Sequence, residues 1–312
     1  WRIAPWTTLS QASFFAIQGL WAGPWLQDVG GLDRAAAARI LLAEGKVDVF
    51  LGFQAGTVPL RSRPAFARDA RDAELLVWDS FCANNLAAYL PKYYENQPGR
   101  RQKRERPYPR VGVAAKGCDL RSIVALVKER QVRRDSLVIV GVPCQGMIDT
   151  RKVEAAARGK EGPVAGEIVG HAEGEAGMLE VTTRAGAVLS FPREEVLQDC
   201  CLECRYPLPE GADILVEAQG RAPGDGGYAR VQAFEAKPLA ERWEHFRSEL
   251  SRCIRCNACR QACPTCWCKE CFAEHTDLKW IGVGAEASDA MLFQIIRIFH
   301  QAGRCTECDA CY

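Results

Sequence analysis

The residues with the clearest chemistry are cysteines in the last sixty positions of the chain, where they form two closely spaced runs. The first run reads C-x2-C-x2-C-x3-C-P, and the second repeats its first three cysteines. Three thiolates on a tight loop can converge on one cluster, and this spacing is typical of 4Fe–4S ligation. The runs therefore predict one-electron transfer. Their cysteines are Cys253, Cys256, Cys259, Cys263, Cys305, Cys308 and Cys311.

Zinc and disulfides are the alternatives for such cysteines. Zinc sites usually take C-x2-C pairs separated by a knuckle, rather than triplets followed by C-P. Sixteen cysteines at cluster spacing in a chain of 312 residues indicate a reducing compartment rather than a disulfide scaffold. Iron–sulfur ligation is therefore the favoured interpretation.

A second set of cysteines lies in the middle of the chain. Two of them directly follow predicted strands, and two form a C-x2-C pair. Because the carboxyl ends of parallel strands meet at one edge of a sheet, the two strand-end cysteines can be neighbours despite their separation in sequence. The alternative is that each is a small buried apolar residue, as free cysteine often is. The set is Cys118, Cys144, Cys201 and Cys204, with Cys200 adjacent to the pair.

The elements that must position these cysteines alternate between strands and helices over residues 35–150. Strands separated by helices of this length indicate an α/β layer with parallel pairing. The predicted strands are 47–51, 111–115 and 136–141, and the predicted helices are 35–44 and 120–128.

The sequence changes character after this region. Short strands at 164–168, 178–183 and 187–191 predict a small antiparallel meander. Helices are predicted at 239–250, leading into the first run, and at 289–300, before the second. The second of these helices is amphipathic and has a C-cap at Gly303. Its predicted apolar positions are Met291, Leu292, Ile295, Ile296 and Phe299.

Composition excludes several classes of protein. The hydrophobic content is 48% and the formal net charge is +1, so the overall charge favours neither nucleic acid nor a membrane surface. No run of about eighteen apolar residues is present, so no membrane span is expected. The start at Trp1 lacks Met and indicates a trimmed N-terminus without a signal peptide. A cytoplasmic, oxygen-sensitive protein of an anaerobic system is predicted.

Two further segments are candidates for binding. The basic stretch 100–106 is typical of a solvated loop, with a docking surface for an acidic partner or an anionic coenzyme as the alternative. The loop 220–227 is rich in glycine, and such a loop cradles phosphate only when its N–H groups converge. The candidate cofactor-contacting glycines are Gly220, Gly224, Gly226 and Gly227, and a flexible turn is the alternative.

The motifs of residues 35–235 resemble the beta-subunit family of deazaflavin-coenzyme hydrogenases and formate dehydrogenases. The resemblance rests on Lys116-Gly-Cys-Asp-Leu-Arg, Val142-Pro-Cys-Gln and Cys201-Leu-Glu-Cys, followed by Ala212-Asp-Ile. It implies one 4Fe–4S cluster, commonly with a flavin such as FAD. These groups would pass electrons between a nicotinamide or deazaflavin coenzyme and partner subunits. The implied ligands are Cys118, Cys144, Cys201 and Cys204. After Ala-Asp-Ile the chain departs from the family, which puts the flavin in question.

The C-terminal part resembles the dicluster ferredoxin segments of heterodisulfide-reductase-type electron-transfer proteins. The resemblance implies one cluster on Cys253, Cys256 and Cys259 with a fourth cysteine beyond Tyr312. It implies a second cluster on Cys305, Cys308 and Cys311 with Cys263. The predicted architecture is therefore an α/β domain at 1–238 and a helical two-cluster module at 239–312, truncated at its C-terminus.

Five cysteines fall outside these sets, namely Cys82, Cys200, Cys266, Cys268 and Cys271. Cys82 is either a core thiol or part of a coenzyme pocket. A structural role near the clusters is favoured for the last three. As alternatives, their segment 266–271 could supply a replacement ligand to the first cluster or hold a separate metal. His300 could tune a cluster or cap its helix.

With these resemblances, the sequence predicts an iron–sulfur electron-transfer subunit of a multi-subunit cytoplasmic oxidoreductase with about three 4Fe–4S clusters. The implied partners are other subunits of a hydrogenase, formate dehydrogenase or heterodisulfide-reductase-like complex. Because electrons move singly, no catalytic residue is predicted in this chain. The alternatives are a flavin-containing coenzyme dehydrogenase subunit and a binding module whose clusters only brace the fold.

Overall fold

The computed structural model of the chain describes residues 34–95, 108–161, 168–174, 177–226, 228–275, 282 and 286–311. Several predictions fall outside the described residues. They concern the chain start at 1–33, the basic stretch 100–106, residues 164–167 of the first meander strand, Gly227 and Tyr312.

A six-stranded mixed sheet forms the centre of the described fold, and a second sheet has three strands. The order in the first sheet is β2-β1-β4-β5-β9, with β3 also paired to β1, and the order in the second is β6-β7-β8. The strands are β1 (Val49–Ala55), β2 (Ser62–Ala67), β3 (Leu76–Val77), β4 (Val111–Ala115), β5 (Leu137–Gly141), β6 (Ile168–Glu173), β7 (Met178–Thr183), β8 (Val188–Pro192) and β9 (Ile214–Leu215).

Parallel pairing joins β1 to β4, β4 to β5 and β5 to β9, as the alternation of strands and helices predicts. The antiparallel pairing of β2 and β3 with β1 was not predicted. Pro64 lies in β2, and proline weakens a strand signal because it is tolerated mainly on edge strands, the position that β2 occupies. Strands β6 to β8 pair antiparallel, as in the predicted meander, but β6 spans Ile168–Glu173 and shares only Ile168 with the predicted strand 164–168.

Eleven α-helices are described, and none of them is both long enough and apolar enough to cross a membrane. Single turns of 3-10 helix supplement them at three places. The helices are α1 (Arg34–Ala43), α2 (Ala70–Glu74), α3 (Leu90–Glu95), α4 (Gly117–Lys128), α5 (Thr150–Glu161), α6 (Arg193–Val196), α7 (Asp199–Leu202), α8 (Ala229–Glu235), α9 (Leu239–Ser251), α10 (Ala258–Ala262) and α11 (Ala287–Gln301).

The main core lies around the parallel strands. All five residues of β4 are buried, as are the first five of β1, which is typical of strands covered on both faces. Helix α4 packs Leu120, Ile123 and Leu126 into this core, at the three- and four-residue spacing of one helix face. The core therefore fixes the strand ends and the start of α4 rigidly with respect to each other.

Helix α4 begins earlier than predicted, and this changes the place of a predicted ligand. The Asp119 carboxylate accepts the backbone N–H of Lys116 at 2.8 Å, which caps the helix so that it starts at Gly117 rather than at Leu120. Cys118 consequently lies in the first helical turn, where the unpaired N–H groups of the helix carry partial positive charge.

Helix α11 agrees with its predicted bounds, but its exposed face differs from the expectation. Phe293 is the buried aromatic residue, with Ile296 packed against it. Leu292, Ile295 and Phe299, which were predicted on the apolar face, are exposed. The reason is that α11 turns a polar face, rather than its apolar stripe, toward the first cysteine run.

The C-terminal segment packs directly on the α/β part. Trp267 packs against the main core, and its indole N–H donates to Glu129 Oε2 at 2.6 Å. Arg304 bonds the same carboxylate, and Thr306 shares a buried hydrogen bond of 2.8 Å with Ser122 of α4. The division at residue 238 stays a prediction, but across it the two parts share buried contacts.

Candidate functional site

A cavity at the carboxyl edge of the parallel strands is lined by the four cysteines predicted as a set. Cys118 lies in the first turn of α4, directly after β4, and Cys144 follows β5 by three residues. Cys201 belongs to α7, and Cys204 lies in the turn after it. All four line this sheet-edge cavity, although they come from three separate chain segments.

Backbone N–H groups are directed at three of these sulfur atoms. The N–H of Gly146 donates to Cys144 Sγ at 3.3 Å, and the N–H of Met147 donates to Cys201 Sγ at 3.4 Å. The N–H of Tyr206 donates to Cys204 Sγ at 3.4 Å. Hydrogen bonds to sulfur tune the potential of a cluster ligated through that sulfur, so this arrangement suits a redox site.

The turn that carries Cys204 approaches α4 closely. A side chain on Gly117 would place its Cβ 1.8 Å from the carbonyl oxygen of Tyr206, so only glycine fits there. This contact brings the C-x2-C pair next to Cys118. The glycine in the Lys-Gly-Cys motif therefore has a structural role in closing the sheet-edge cavity.

A buried cation lies beside the thiols. The Lys116 ammonium pairs with Asp119 at 3.0 Å, and both side chains are almost fully buried. It also donates to the carbonyl oxygens of Cys82 and Asn84. Burial lowers the pKa of Lys116, but Asp119 and the nearby thiols of Cys118 and Cys144 raise it more strongly, so the ammonium stays charged.

Burial keeps most of these thiols protonated when no metal is bound. It raises the pKa of Cys144 to about 11 and that of Cys118 well above its usual value, with Asp119 adding to the second effect. Burial also raises the pKa of Cys204. A hydrogen bond with the Cys200 thiol lowers the pKa of Cys201 to about 7. Metal binding would deprotonate all of these ligands and release their protons.

The glycine-rich loop packs against the cysteine turns. The N–H of Gly224 donates to the carbonyl of Cys204 at 2.7 Å, and a Cβ at Gly224 would meet the Glu203 backbone at 2.7 Å. The N–H of Arg221 donates to the carbonyl of Cys144 at 3.0 Å. Two N–H groups of this loop, those of Arg221 and Gly224, therefore bond the backbone carbonyls of the cysteines. Flavin contact by the glycines of the loop stays a prediction.

The donor set at the sheet edge fits an iron–sulfur cluster. Its polar lining is dominated by thiols, which are the ligands such clusters use. In the part of the chain that the structure describes, no three His, Cys, Asp or Glu side chains are close enough together to hold a single metal ion. A four-iron cube needs a wider set of ligands, because its corners separate them.

Two cysteines outside the predicted set also line the sheet-edge cavity. They are Cys200, next to the pair, and Cys308, the middle cysteine of the second C-terminal run. Ser122 bonds both the carbonyl of Cys118 and the Thr306 hydroxyl, so a buried contact fixes the second run beside α4. Sequence offered no signal for this contact, because 184 residues separate its two partners.

The remaining C-terminal cysteines surround α11. Cys311 interacts electrostatically with Cys263, and Cys263 also has a hydrogen bond with Cys266, while the second ligand set stays a prediction. Cys256 and Cys305 are exposed. The helix directs side-chain donors at the run: Gln294 Nε2 to Cys253 Sγ at 3.3 Å, Arg297 Nη1 to Cys259 Sγ at 2.8 Å and Gln301 Nε2 to Cys266 Sγ at 3.0 Å.

The other leftover cysteines have mixed surroundings. Cys82 is fully buried in the main core, and burial raises its pKa to about 12. Cys271 packs beside Ala273 and Phe293, whereas Cys268 is exposed. His300 is exposed near the end of α11, where its carbonyl accepts a bond from Arg304.

A second cavity of about 580 Å³ lies next to the sheet-edge cavity and shares Met147 with it. Trp78, His171 and Gln219 contribute to its lining. Arg193 also faces it, but its guanidinium already bonds Ser80, Glu173 and two carbonyls. The volume of this second cavity is in the range of small-molecule and cofactor sites.

Comparison with known proteins gives one family match. Residues 108–233 match the family described as the C terminus of the beta subunit of coenzyme F420 hydrogenase/dehydrogenase. The matched segment contains the four cysteines predicted as a set, the adjacent Cys200 and the whole of the glycine-rich loop. It does not extend to either C-terminal run.

The relatives extend the similarity along most of the chain. The F420-dependent formate dehydrogenase 1 subunit beta of Methanococcus maripaludis is 24% identical over 86% of this chain and 79% of its own length. The F420-dependent formate dehydrogenase subunit beta of Methanocaldococcus jannaschii is 22% identical over 88% of this chain and 82% of its own length.

Among solved structures, a chain of the F420-reducing [NiFe] hydrogenase complex from Methanosarcina barkeri is 18% identical, with a TM-score of 0.43. The match covers 57% of this chain and 60% of the hydrogenase chain, which is less than two thirds of its length.

Proposed function

We propose that this chain is an iron–sulfur electron-transfer subunit of a multi-subunit oxidoreductase, with a role like that of the F420-dependent beta subunits it resembles. The observation that carries the proposal is the sheet-edge cavity, where thiols from three chain segments meet beside a buried ammonium. The family match over residues 108–233 and the two formate dehydrogenase relatives support it.

The residues that would hold the sheet-edge cluster are Cys118, Cys144, Cys201 and Cys204. When bound, a 4Fe–4S cluster accepts and releases single electrons. The N–H groups of Gly146, Met147 and Tyr206 would remain directed at the ligand sulfurs. The Lys116 ammonium would offset part of the negative charge of four thiolates, an effect strengthened by the low dielectric of the core.

The C-terminal runs would hold two more clusters in this proposal. Cys311 near Cys263 supports the set Cys305, Cys308 and Cys311 with Cys263. The fourth ligand of Cys253, Cys256 and Cys259 stays open between a cysteine beyond Tyr312 and Cys266, which lies near Arg297 beside Cys259.

The proposed partners are the other subunits of a hydrogenase, formate dehydrogenase or heterodisulfide-reductase-like complex in the cytoplasm. The C-terminal helices support a partner because they expose large apolar side chains, a feature common at interfaces. These side chains are Leu239, Trp243 and Phe246 of α9 and Leu292, Ile295, Ile298 and Phe299 of α11.

A second candidate function is that of a flavin-containing coenzyme dehydrogenase subunit. The cavity of about 580 Å³ beside the cluster site favours it, because a flavin there would lie within reach of the sheet-edge thiols. In this arrangement the two electrons of one hydride from a deazaflavin or nicotinamide coenzyme would pass on one at a time. The chain's contribution would be to bind and orient both groups and to exclude water.

The test is iron and flavin counted in the same anaerobically purified sample. About twelve irons per chain are expected for three 4Fe–4S clusters. One flavin per chain would establish the coenzyme-oxidising alternative, and its absence with the same iron content would leave a pure relay. Protein that carries zinc or no metal after anaerobic purification would overturn the proposed function.

A further inference from the structure

Arg297 on α11 lies among the thiols of the C-terminal runs. Its guanidinium donates to Cys259 Sγ at 2.8 Å and lies near Cys266 and Cys311. Gln294, one turn earlier on the same helix face, accepts a further bond from it at 3.2 Å. The neighbours of this cation are therefore sulfur atoms and one amide.

Among the described residues around Arg297, no carboxylate serves as its counter-ion. The side chain is half-buried, and its Nε atom is buried without a hydrogen-bond partner. Among the residues that the structure describes, no carboxylate lies within ion-pair distance of Arg297. A partly buried charge without an anionic partner is unfavourable, so Arg297 would be stabilised by negative charge from another source. Deprotonated thiols around a cluster would supply it.

We propose that Arg297 is a fixed positive charge that raises the reduction potential of the cluster held by the first C-terminal run. The inference rests on the proposed function, because it requires that cluster. One-electron reduction adds negative charge to the cluster, and a nearby cation stabilises the reduced form more than the oxidised form. The hydrogen bond to Cys259 acts in the same direction.

Three substitutions separate the charge from the hydrogen bond. Arg297→Lys keeps the charge, Arg297→Gln keeps a neutral donor, and Arg297→Met removes both. Arg247→Met removes one positive charge from an exposed arginine that bonds Glu244, and serves as the matched control. The full chain, purified anaerobically, is titrated with a reductant while electron paramagnetic resonance follows each cluster, and iron is counted in every sample.

The two neutral variants are expected to lower the reduction equilibrium constant of one C-terminal cluster at least tenfold, about 59 mV for one electron. Arg297→Lys is expected to stay within about threefold of wild type because it keeps the charge. Arg247→Met is expected to do the same because the Arg247 side chain is exposed and its charge is screened by solvent and salt. The sheet-edge cluster provides an internal reference in the same titration.

Iron-loaded neutral variants with an unmoved potential overturn this inference alone. So does loss of iron in both neutral variants while Arg297→Lys keeps it, since the role would then be in assembly. If only Arg297→Met fails to bind iron, the reduction potential of the cluster in Arg297→Gln decides whether the inference holds. Wild-type protein without iron overturns the proposed function together with the inference.

Discussion

Cys200 and Cys201 are adjacent in sequence, but their thiols have different surroundings. The Met147 N–H donates to Cys201 Sγ, whereas the Cys200 thiol lies 3.9 Å from both Gln198 Oε1 and Cys201 Sγ and can donate its one S–H to either. The bond between the two thiols lowers the pKa of Cys201 and raises that of Cys200. These contacts favour Cys201 as the cluster ligand and Cys200 as an adjacent thiol that does not ligate the cluster.

Replacing each of these cysteines by alanine tests the assignment. Cys201→Ala is expected to remove about four irons per chain, because one cube loses one of its four thiolate ligands. Cys200→Ala is the matched control and is expected to keep the wild-type iron content. Iron is counted after anaerobic purification, and a greater loss in Cys200→Ala than in Cys201→Ala would reverse the assignment.

At the level of helices and strands, sequence predicted the elements that carry a strong local pattern. Strands β4 and β5 follow from short apolar runs, and their parallel order brings Cys118 and Cys144 to one edge. Strand β2 was missed because Pro64 weakens its pattern. Arg297 was missed as well, although Gln294, Arg297 and Gln301 form a polar row at helical spacing beside the apolar positions of α11. Only the fold shows that this polar face meets thiols.

The end of α4 is an element whose contacts hold the C-terminal segment. Glu129 accepts bonds from Arg304 at 2.5 and 2.6 Å and from the Trp267 indole. The Arg304 hydrogen bonds, and then that of Trp267, lower the pKa of Glu129 against the opposing effect of burial. The stabilisation is therefore complete above the usual pKa of 4.5 and is lost as the pH falls through the lower folded value.

Glu129→Gln is expected to destabilise the docked segment by about 1 kcal/mol at pH 7, the upper end for a partly exposed ion pair. Hydrogen exchange of residues 304–311 should then be about fivefold faster than in wild type. Below the folded pKa of Glu129 the two proteins should exchange alike, each compared at the same pH. Glu217→Gln, at an exposed position, is the control, and equal exchange of wild type and Glu129→Gln at pH 7 would refute the role.

In the whole molecule, Cys308 and Cys311 connect the sheet-edge thiols with those of the C-terminal runs in a series of electrostatic contacts. Cys308 lines the sheet-edge cavity and interacts electrostatically with Cys118. Cys311 interacts with both Cys308 and Cys263. The Ser122–Thr306 hydrogen bond holds the start of the second run, between Cys305 and Cys308, against α4. An electron relay needs such closeness, because electron transfer slows steeply with distance.

Clusters held in this series should interact magnetically. In the fully reduced wild-type protein, the resonance of the cluster on the second C-terminal run should be broadened or split by the neighbouring spin at the sheet edge. Cys201→Ala, which removes the sheet-edge cluster, should simplify that resonance without changing the iron bound by the C-terminal runs, whereas Cys200→Ala should leave it as in wild type. An identical line shape in all three proteins would mean that the sheet-edge thiols and Cys308 do not serve adjacent clusters. The chain would then hold separate redox sites that depend on another protein of the complex to connect them.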